Sequence, residues 1–167
     1  YGELQWIQTG ERLTKETFEA YRKTGGGVIV HMMKPEWIKN GIAAPGVMIG
    51  SDGMAYAKLA HPRTAGTFSR VLGKYVREDK IISLENAIHK MTGLTAKHLG
   101  ITDRGIIAAG NYADLVLLNP ATVKDNSTIQ NGTALSTGIE MVWINGQLSY
   151  QNQKATGNYP GVLIKRK

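Results

Sequence analysis

One carboxylate in this sequence stands where a carboxylate can do chemistry. Asp52 follows the apolar run Val47-Met48-Ile49-Gly50-Ser51 and precedes Gly53, the pattern of a buried strand that delivers an acid to the rim of a sheet. Two readings of Asp52 stand side by side: a turn or N-cap aspartate, and a metal ligand or general base beside a metal-bound water. A second run, Val28-Ile29-Val30, ends at His31, Met32 and Met33. His31 is either a ligand or a hydrogen-bonded core residue. His61-Pro62-Arg63 lies in the loop that follows Asp52. The Arg63 guanidinium can clamp a substrate carboxylate bidentately or order its own loop through an ion pair. The candidate catalytic residue is therefore Asp52, with Met33, Ser51, Gly53, His61 and Arg63 as candidate substrate-binding residues around it. His89 and His98 fall on helical stretches away from this rim and read as surface residues. No His-x-His, no His-Glu-x-x-His, no nucleophile elbow and no dinucleotide fingerprint accompanies Asp52, so any metal role needs partners that the chain lacks.

The elements that must position these residues are legible from local signals. Thr14 reads as an N-cap, with Leu13, Thr17, Phe18 and Tyr21 on one side of the helix that follows. Gly25-Gly26-Gly27 ends that helix; the order helix, glycines, strand is the reverse of a phosphate loop. Pro35 at a first helical position starts a short helix that Pro45-Gly46 stops. Two apolar strands, residues 28–31 and 47–51, joined through a helix, predict a parallel βαβ unit whose functional residues lie at the strand ends. Further on, Phe68, Val71, Leu72, Tyr75 and Val76 recur at helical spacing. Ser83 caps another helix with Leu84, Ala87, Ile88 and Met91 on its inner face. A short helical turn over residues 94–99 closes at Gly100. Beyond Gly100, turn pairs separate short strand candidates at Ile106-Ile107, residues 115–118 and residues 141–144. Asn145-Gly146 is a strong hairpin signal. The expected fold class is α/β, with a small antiparallel β unit over residues 101–167.

Composition narrows the function classes. The chain has 167 residues, 42% of them hydrophobic and 20% charged, which suits a folded domain with one core. With no Cys, disulfides and thiolate metal sites are excluded. No apolar stretch approaches the roughly 20 residues needed to span a bilayer, so no membrane partner is expected. The net charge of +7 is spread along the chain, with one dense cluster at Lys165-Arg166-Lys167. No basic stripe interleaves with aromatics, so no nucleic-acid partner is expected. The first residue is Tyr1, not Met, and the chain is expected to begin at a boundary inside a larger protein. The compartment stays open.

A set of short blocks carries a further signal. Gly50-Ser51-Asp52-Gly53, His61-Pro62-Arg63, Gly66-Thr67-Phe68, Arg70-Val71-Leu72-Gly73, Tyr75-Val76-Arg77-Glu78, Lys90-Met91-Thr92, Asp103-Arg104-Gly105, Ala113-Asp114-Leu115-Val116 and Asn145-Gly146 occur in an order and spacing that resembles the D-aminoacylase (N-acyl-D-amino-acid deacylase) group of the amidohydrolase superfamily. The resemblance runs from about Thr14 onward. It implies a metal-dependent (β/α)8 barrel followed by a small β domain, with residues 1–100 as the last strands and helices of the barrel and 101–167 as the β domain. It implies hydrolysis of a linear amide such as an N-acyl-D-amino acid. Asp52 would act as general acid/base on a water whose pKa zinc lowers to about 7.

The departures from that family matter as much. Its His-x-His motif on the first barrel strand and its ligands from middle strands have no counterpart here. Asp52 would serve as a metal ligand only together with ligands absent from this chain, so Zn2+ is expected in the intact enzyme and none in residues 1–167 alone. The chain is expected to be inactive by itself, with the rest of the barrel or another subunit as partner. A small-molecule substrate binds only in the intact enzyme. The alternative is a non-catalytic structural or assembly module.

Overall fold

The computed structural model describes residues 1–54 and 61–165; apart from Lys165, the terminal basic cluster lies outside them. The chain opens with β1 (Leu4–Trp6), α1 (Lys15–Thr24) and β2 (Val28–Val30). Thr14 caps α1 as expected: its Oγ1 accepts from the Thr17 amide and the Thr17 hydroxyl oxygen accepts from the Thr14 amide, a reciprocal box that satisfies two free donors. Trp6 is buried and stacks on Tyr21 of α1, with ring centroids 4.4 Å apart. The middle residue of the triple glycine is explained by that ring. A side chain at Gly26 would run into the Trp6 indole, and its φ of +152° lies where L-residues rarely go.

The expected parallel βαβ unit is not found among the described residues. β2 pairs antiparallel with β1, in the register Leu4↔Val30, Gln5↔Ile29 and Trp6↔Val28. The three residues Leu4-Gln5-Trp6 are too short a run to announce a strand by periodicity, yet they take the β2 ladder. Helix α2 (Pro35–Ala43) forms with Pro35 in its first turn. The following residues 47–51 belong to no helix and join no described ladder. Their link to the helical layer is the Ile49 amide, which donates to the Lys90 carbonyl at 3.3 Å.

Helix α3 (Arg63–Arg70) continues as a π-helical segment (Val71–Glu78), and α4 (Leu84–Met91) and α5 (Gly93–Leu99) follow. Ser83 caps α4 and Gly100 ends α5 in the left-handed region, both as the sequence indicates. The inner face of α4 differs in one respect: Ile88 is exposed and Lys90 is buried. The π-helical widening has no local sequence signal.

The second sheet is antiparallel with strand order β3-β4-β5-β6: Leu115–Leu118, Ile139–Ile144, Gln147–Gln151 and Lys154–Ala155. Asn145 and Gly146 have φ of 49° and 78°, the left-handed pair of a tight hairpin. Asn152 and Gln153 make a similar turn without any glycine. Ile106-Ile107 is not a strand; Ile107 is 91% exposed and pairs with nothing in the described sheets. The core lies between helices and sheet: Val71, Leu72, Ala87 and Val123 are buried together, with Ile49, Met91, Leu118 and Ile139 packed around them. Ile49 thus ties the segment leading to Asp52 into that core.

Candidate active site

Asp52 sits at the end of this core-anchored segment in a left-handed turn, φ +47°. For a non-glycine residue this conformation is uncommon, though aspartate tolerates it better than most. Gly53 is there because of a close approach: a Cβ at this position would stand 2.9 Å from the Thr64 Cα. Thr64, in the first turn of α3, clips the same turn from the other side. Its hydroxyl lies 3.4 Å from both the amide nitrogen and the carbonyl oxygen of Met54. Ser51 Oγ accepts from the Gly53 amide at 3.4 Å. Three of the expected site residues are therefore consecutive parts of one turn, held against the start of one helix.

Arg63 supplies the charge. Its Nη2 lies 2.9 Å from Asp52 Oδ2, and its Nε donates to the Asp52 main-chain oxygen at 2.9 Å. The two side chains are 42% and 83% exposed, so solvent screens the pair and its contribution to stability is about 1 kcal/mol or less. His61 Nδ1 accepts the Arg63 amide at 3.1 Å. Burial, then the nearby charges of Arg63 and His31, hold His61 below its ordinary value of 6.5, against a smaller upward pull from Asp52. At neutral pH the ring is therefore uncharged, consistent with its acceptor role.

The structure thus brings Ser51, Asp52, Gly53, His61 and Arg63 together. Met33 is 63% exposed. His31 is held by Gln5, whose Oε1 is 2.9 Å from His31 Nε2 while its Nε2 donates to the Gly10 carbonyl at 2.6 Å. The hydrogen-bonded reading of His31 is the one seen. His89 and His98 are exposed, as expected. Thr64 and Gln5 are the residues that sequence reasoning missed. Thr64 adjoins the His61-Pro62-Arg63 motif, and that adjacency was the available signal. Gln5 had none, because its partner lies 26 residues away.

The donor set does not fit a metal centre by itself. Among the described residues no group of three or more His, Cys, Asp or Glu is arranged to hold an ion, and Asp52 Oδ2 already faces Arg63.

Comparison with known proteins gives a consistent set of likenesses. A sequence model of the amidohydrolase family matches residues 35–150. D-aminoacylase from Alcaligenes xylosoxydans xylosoxydans is 43% identical over 140 residues, which is 84% of this chain and 29% of that protein. A D-aminoacylase crystal structure superposes with a TM-score of 0.84 at 36% identity, covering 94% of this chain and 36% of that one. N-acyl-D-glutamate deacylase from Bordetella bronchiseptica, solved with zinc and a phosphonate mimic of the tetrahedral intermediate, gives a TM-score of 0.85 at 33% identity. It is covered over 36% of its chain. The sequence thus spans about a third of the relatives it matches.

Proposed function

The chain belongs to the amidohydrolase family, and from that premise we propose that it is part of a metal-dependent hydrolase that cleaves the amide bond of an N-acyl-D-amino acid. In this reading residues 1–100 supply the last strands and helices of a barrel and residues 101–167 a small β domain. The observation that carries it is the placement of Asp52, an exposed carboxylate at the end of a core-anchored segment, fixed through Arg63, Gly53 and Thr64. Zinc, which the Bordetella relative contains, would require ligands from outside residues 1–167.

The part played by this chain's own residues is proton transfer and orientation. Asp52 takes a proton from the attacking water as the water oxygen bonds to the acyl carbon. It returns that proton to the leaving nitrogen as the C–N bond breaks, giving a carboxylate and a free amino acid. Arg63 orients the substrate through its α-carboxylate. His61, uncharged, holds the Arg63 backbone, while Ser51 and Gly53 shape the turn and Met33 offers an apolar contact.

The experiment is Asp52→Asn in the full-length protein, assayed with an N-acyl-D-amino acid. A loss of roughly 10²–10⁴ in kcat, with little change in the thermal midpoint, is expected; near-normal turnover would remove Asp52 from the mechanism. The second reading, a non-catalytic assembly module, draws on the exposed apolar set Val28, Val30, Met32, Met33 and Trp37. A protein of that kind would show no turnover for Asp52 to influence.

A further inference from the structure

Asp125 and Ser127 lie between β3 and β4, well away from Asp52 in sequence, yet they hold the start of α3. Pro62, at the N-cap of that helix, brings no side-chain cap, and its carbonyl is tied down from outside. The Ser127 hydroxyl, 65 residues away, donates to the Pro62 carbonyl at 2.7 Å. The same oxygen accepts the Gly66 amide at 3.0 Å. Ser127 is aimed in turn by Asp125, whose Oδ1 accepts from the Ser127 amide at 2.8 Å and lies 2.5 Å from Ser127 Oγ. The hydroxyl has one proton for two acceptors, so carbonyl and carboxylate together fix where it points. The Asp125 side chain is only 7% exposed, and its Oδ2 faces Arg70 at 3.6 Å. We propose that Ser127, aimed by Asp125, is a positioning residue of the proposed hydrolase, a reading on which this inference rests. It sets the first turn of α3 and, through Arg63 and Thr64 in that turn, the place of the Asp52 side chain.

Three observations support the transmission of position along this route. No side chain cushions the contact: a Cβ at Gly66 would stand 2.0 Å from Asp125 Oδ1 and 2.3 Å from Ser127 Oγ. The segment that carries Asp125 is itself anchored. Val123 is 1% exposed in the core, and Arg77 Nη1 donates to its carbonyl at 2.7 Å and to that of Pro120 at 3.1 Å. A Cβ at Gly73 would also stand 2.7 Å from the Val123 oxygen. Finally, the two residues after Pro62 both touch the Asp52 turn. Arg63 Nε donates to the Asp52 main-chain oxygen at 2.9 Å, and a Cβ at Gly53 would stand 2.9 Å from the Thr64 Cα. From Ser127 to the Asp52 backbone the path is thus one carbonyl and two adjacent residues. Misplacing a reacting group by about 1 Å can cost roughly 10²-fold in rate.

The test uses the full-length protein and an N-acyl-D-amino acid, assayed below the thermal midpoint of every variant. Ser127→Ala is expected to lower kcat by roughly 5- to 50-fold while KM moves by less than about twofold. Amide hydrogen exchange, followed by mass spectrometry, should quicken by about threefold or more in peptides covering residues 51–54 and the first turn of α3. Asn126→Ala is the control, because that side chain turns the other way and donates to the Leu135 carbonyl at 3.0 Å. It should leave kcat and those peptides at wild-type values. A serine that only stabilises its own loop predicts a lower thermal midpoint with unchanged kcat and unchanged exchange around Asp52. Either unchanged quantity overturns the positioning role, as does an equal loss of kcat in Asn126→Ala. Should Ser127→Ala fail to fold, Ser127→Cys, close in size and a weaker donor, is judged by the same criteria. Asp52→Asn separates the two levels. Its inactivity beside a Ser127→Ala of wild-type kcat removes the positioning role alone, whereas its retained activity removes the reading beneath it.

Discussion

Arg63–Asp52 and Arg104–Asp114 are the same chemical pair in two settings, and burial separates their uses. Arg104 is nearly enclosed. It donates through Nη1 to Asp114 and through Nη2 to Asn145 Oδ1 at 2.5 Å, and it lies 4.1 Å from the Tyr112 ring centroid. Burial alone would raise the Asp114 carboxyl. The Asn145 amide at 2.8 Å and the Arg104 guanidinium together outweigh it, and the net shift is below the ordinary value of 3.8. The unfolded chain then binds the proton more readily, so this pair's stabilisation is complete above 3.8 and fades as pH falls through the lower folded value. Asp114→Asn is therefore expected to flatten the acid limb of a plot of thermal midpoint against pH. An unchanged limb would show that Asp114 does not set it. Both blocks, Asp103-Arg104-Gly105 and Ala113-Asp114, stand out in the sequence; their convergence on the carboxamide of a turn asparagine does not, because nothing local encodes it.

Helix ends were legible because their chemistry is local: Thr14, Ser83, Pro35 and Gly100 each act within a few residues. Helix α4 shows where that reasoning stops. Amphipathic spacing assigns Lys90 to solvent, yet it is 6% exposed. Its Nζ donates at 2.5 Å to the carbonyl of Ala44 at the end of α2, where helical carbonyls lack partners and the dipole is negative. The Lys90 carbonyl accepts from the Ile49 amide and from the Thr95 hydroxyl. One residue thus bolts α4 to both ends of the segment that leads toward Asp52. Lys90→Met keeps the apolar stem but leaves the Ala44 carbonyl without its donor, and should lower stability by about 1–3 kcal/mol in urea unfolding. A midpoint equal to wild type would mean that water replaces the ammonium without cost. The absent parallel pairing has a similar origin: β-branched runs announce strands but not partners, and β1 is too short to be seen.

At the scale of the molecule, helices and sheet share one core through Val71, Leu72, Ala87 and Val123, yet much apolar surface stays uncovered. A groove of about 1080 Å³ lies between the helices and β3, lined by residues such as Phe68, Leu72, Ile88, Ile106, Tyr112 and Val116. On the other sheet Val28 and Val30 are exposed, beside Met32, Met33 and Trp37. Clustered exposed apolar residues of this kind are sites that another protein surface can cover. Residues 1–167 expressed alone are expected to self-associate, with light scattering during gel filtration giving a mass above one chain; a stable monomer would contradict this. The sequence indicates the α/β class, the hairpin at Asn145 and the candidate carboxylate, all written in short-range patterns. The antiparallel β1–β2 pair was not legible, since it depends on contacts between separate segments, and Thr64 was marked only by its place next to His61-Pro62-Arg63.

The Asn145-Gly146 hairpin has a consequence for chemical ageing. Asparagine followed by glycine deamidates when the next backbone nitrogen attacks the side-chain carbonyl carbon, which requires a free carboxamide and a free amide. Here neither is free: Arg104 holds Oδ1, the Pro160 carbonyl accepts from Nδ2 at 2.6 Å, and the Gly146 amide donates to Ala113 at 2.9 Å. The turn's intrinsic lability is locked away while the β unit stays folded. Conversion of Asn145 to aspartate therefore serves as a slow covalent record of how long this corner of the molecule has spent open.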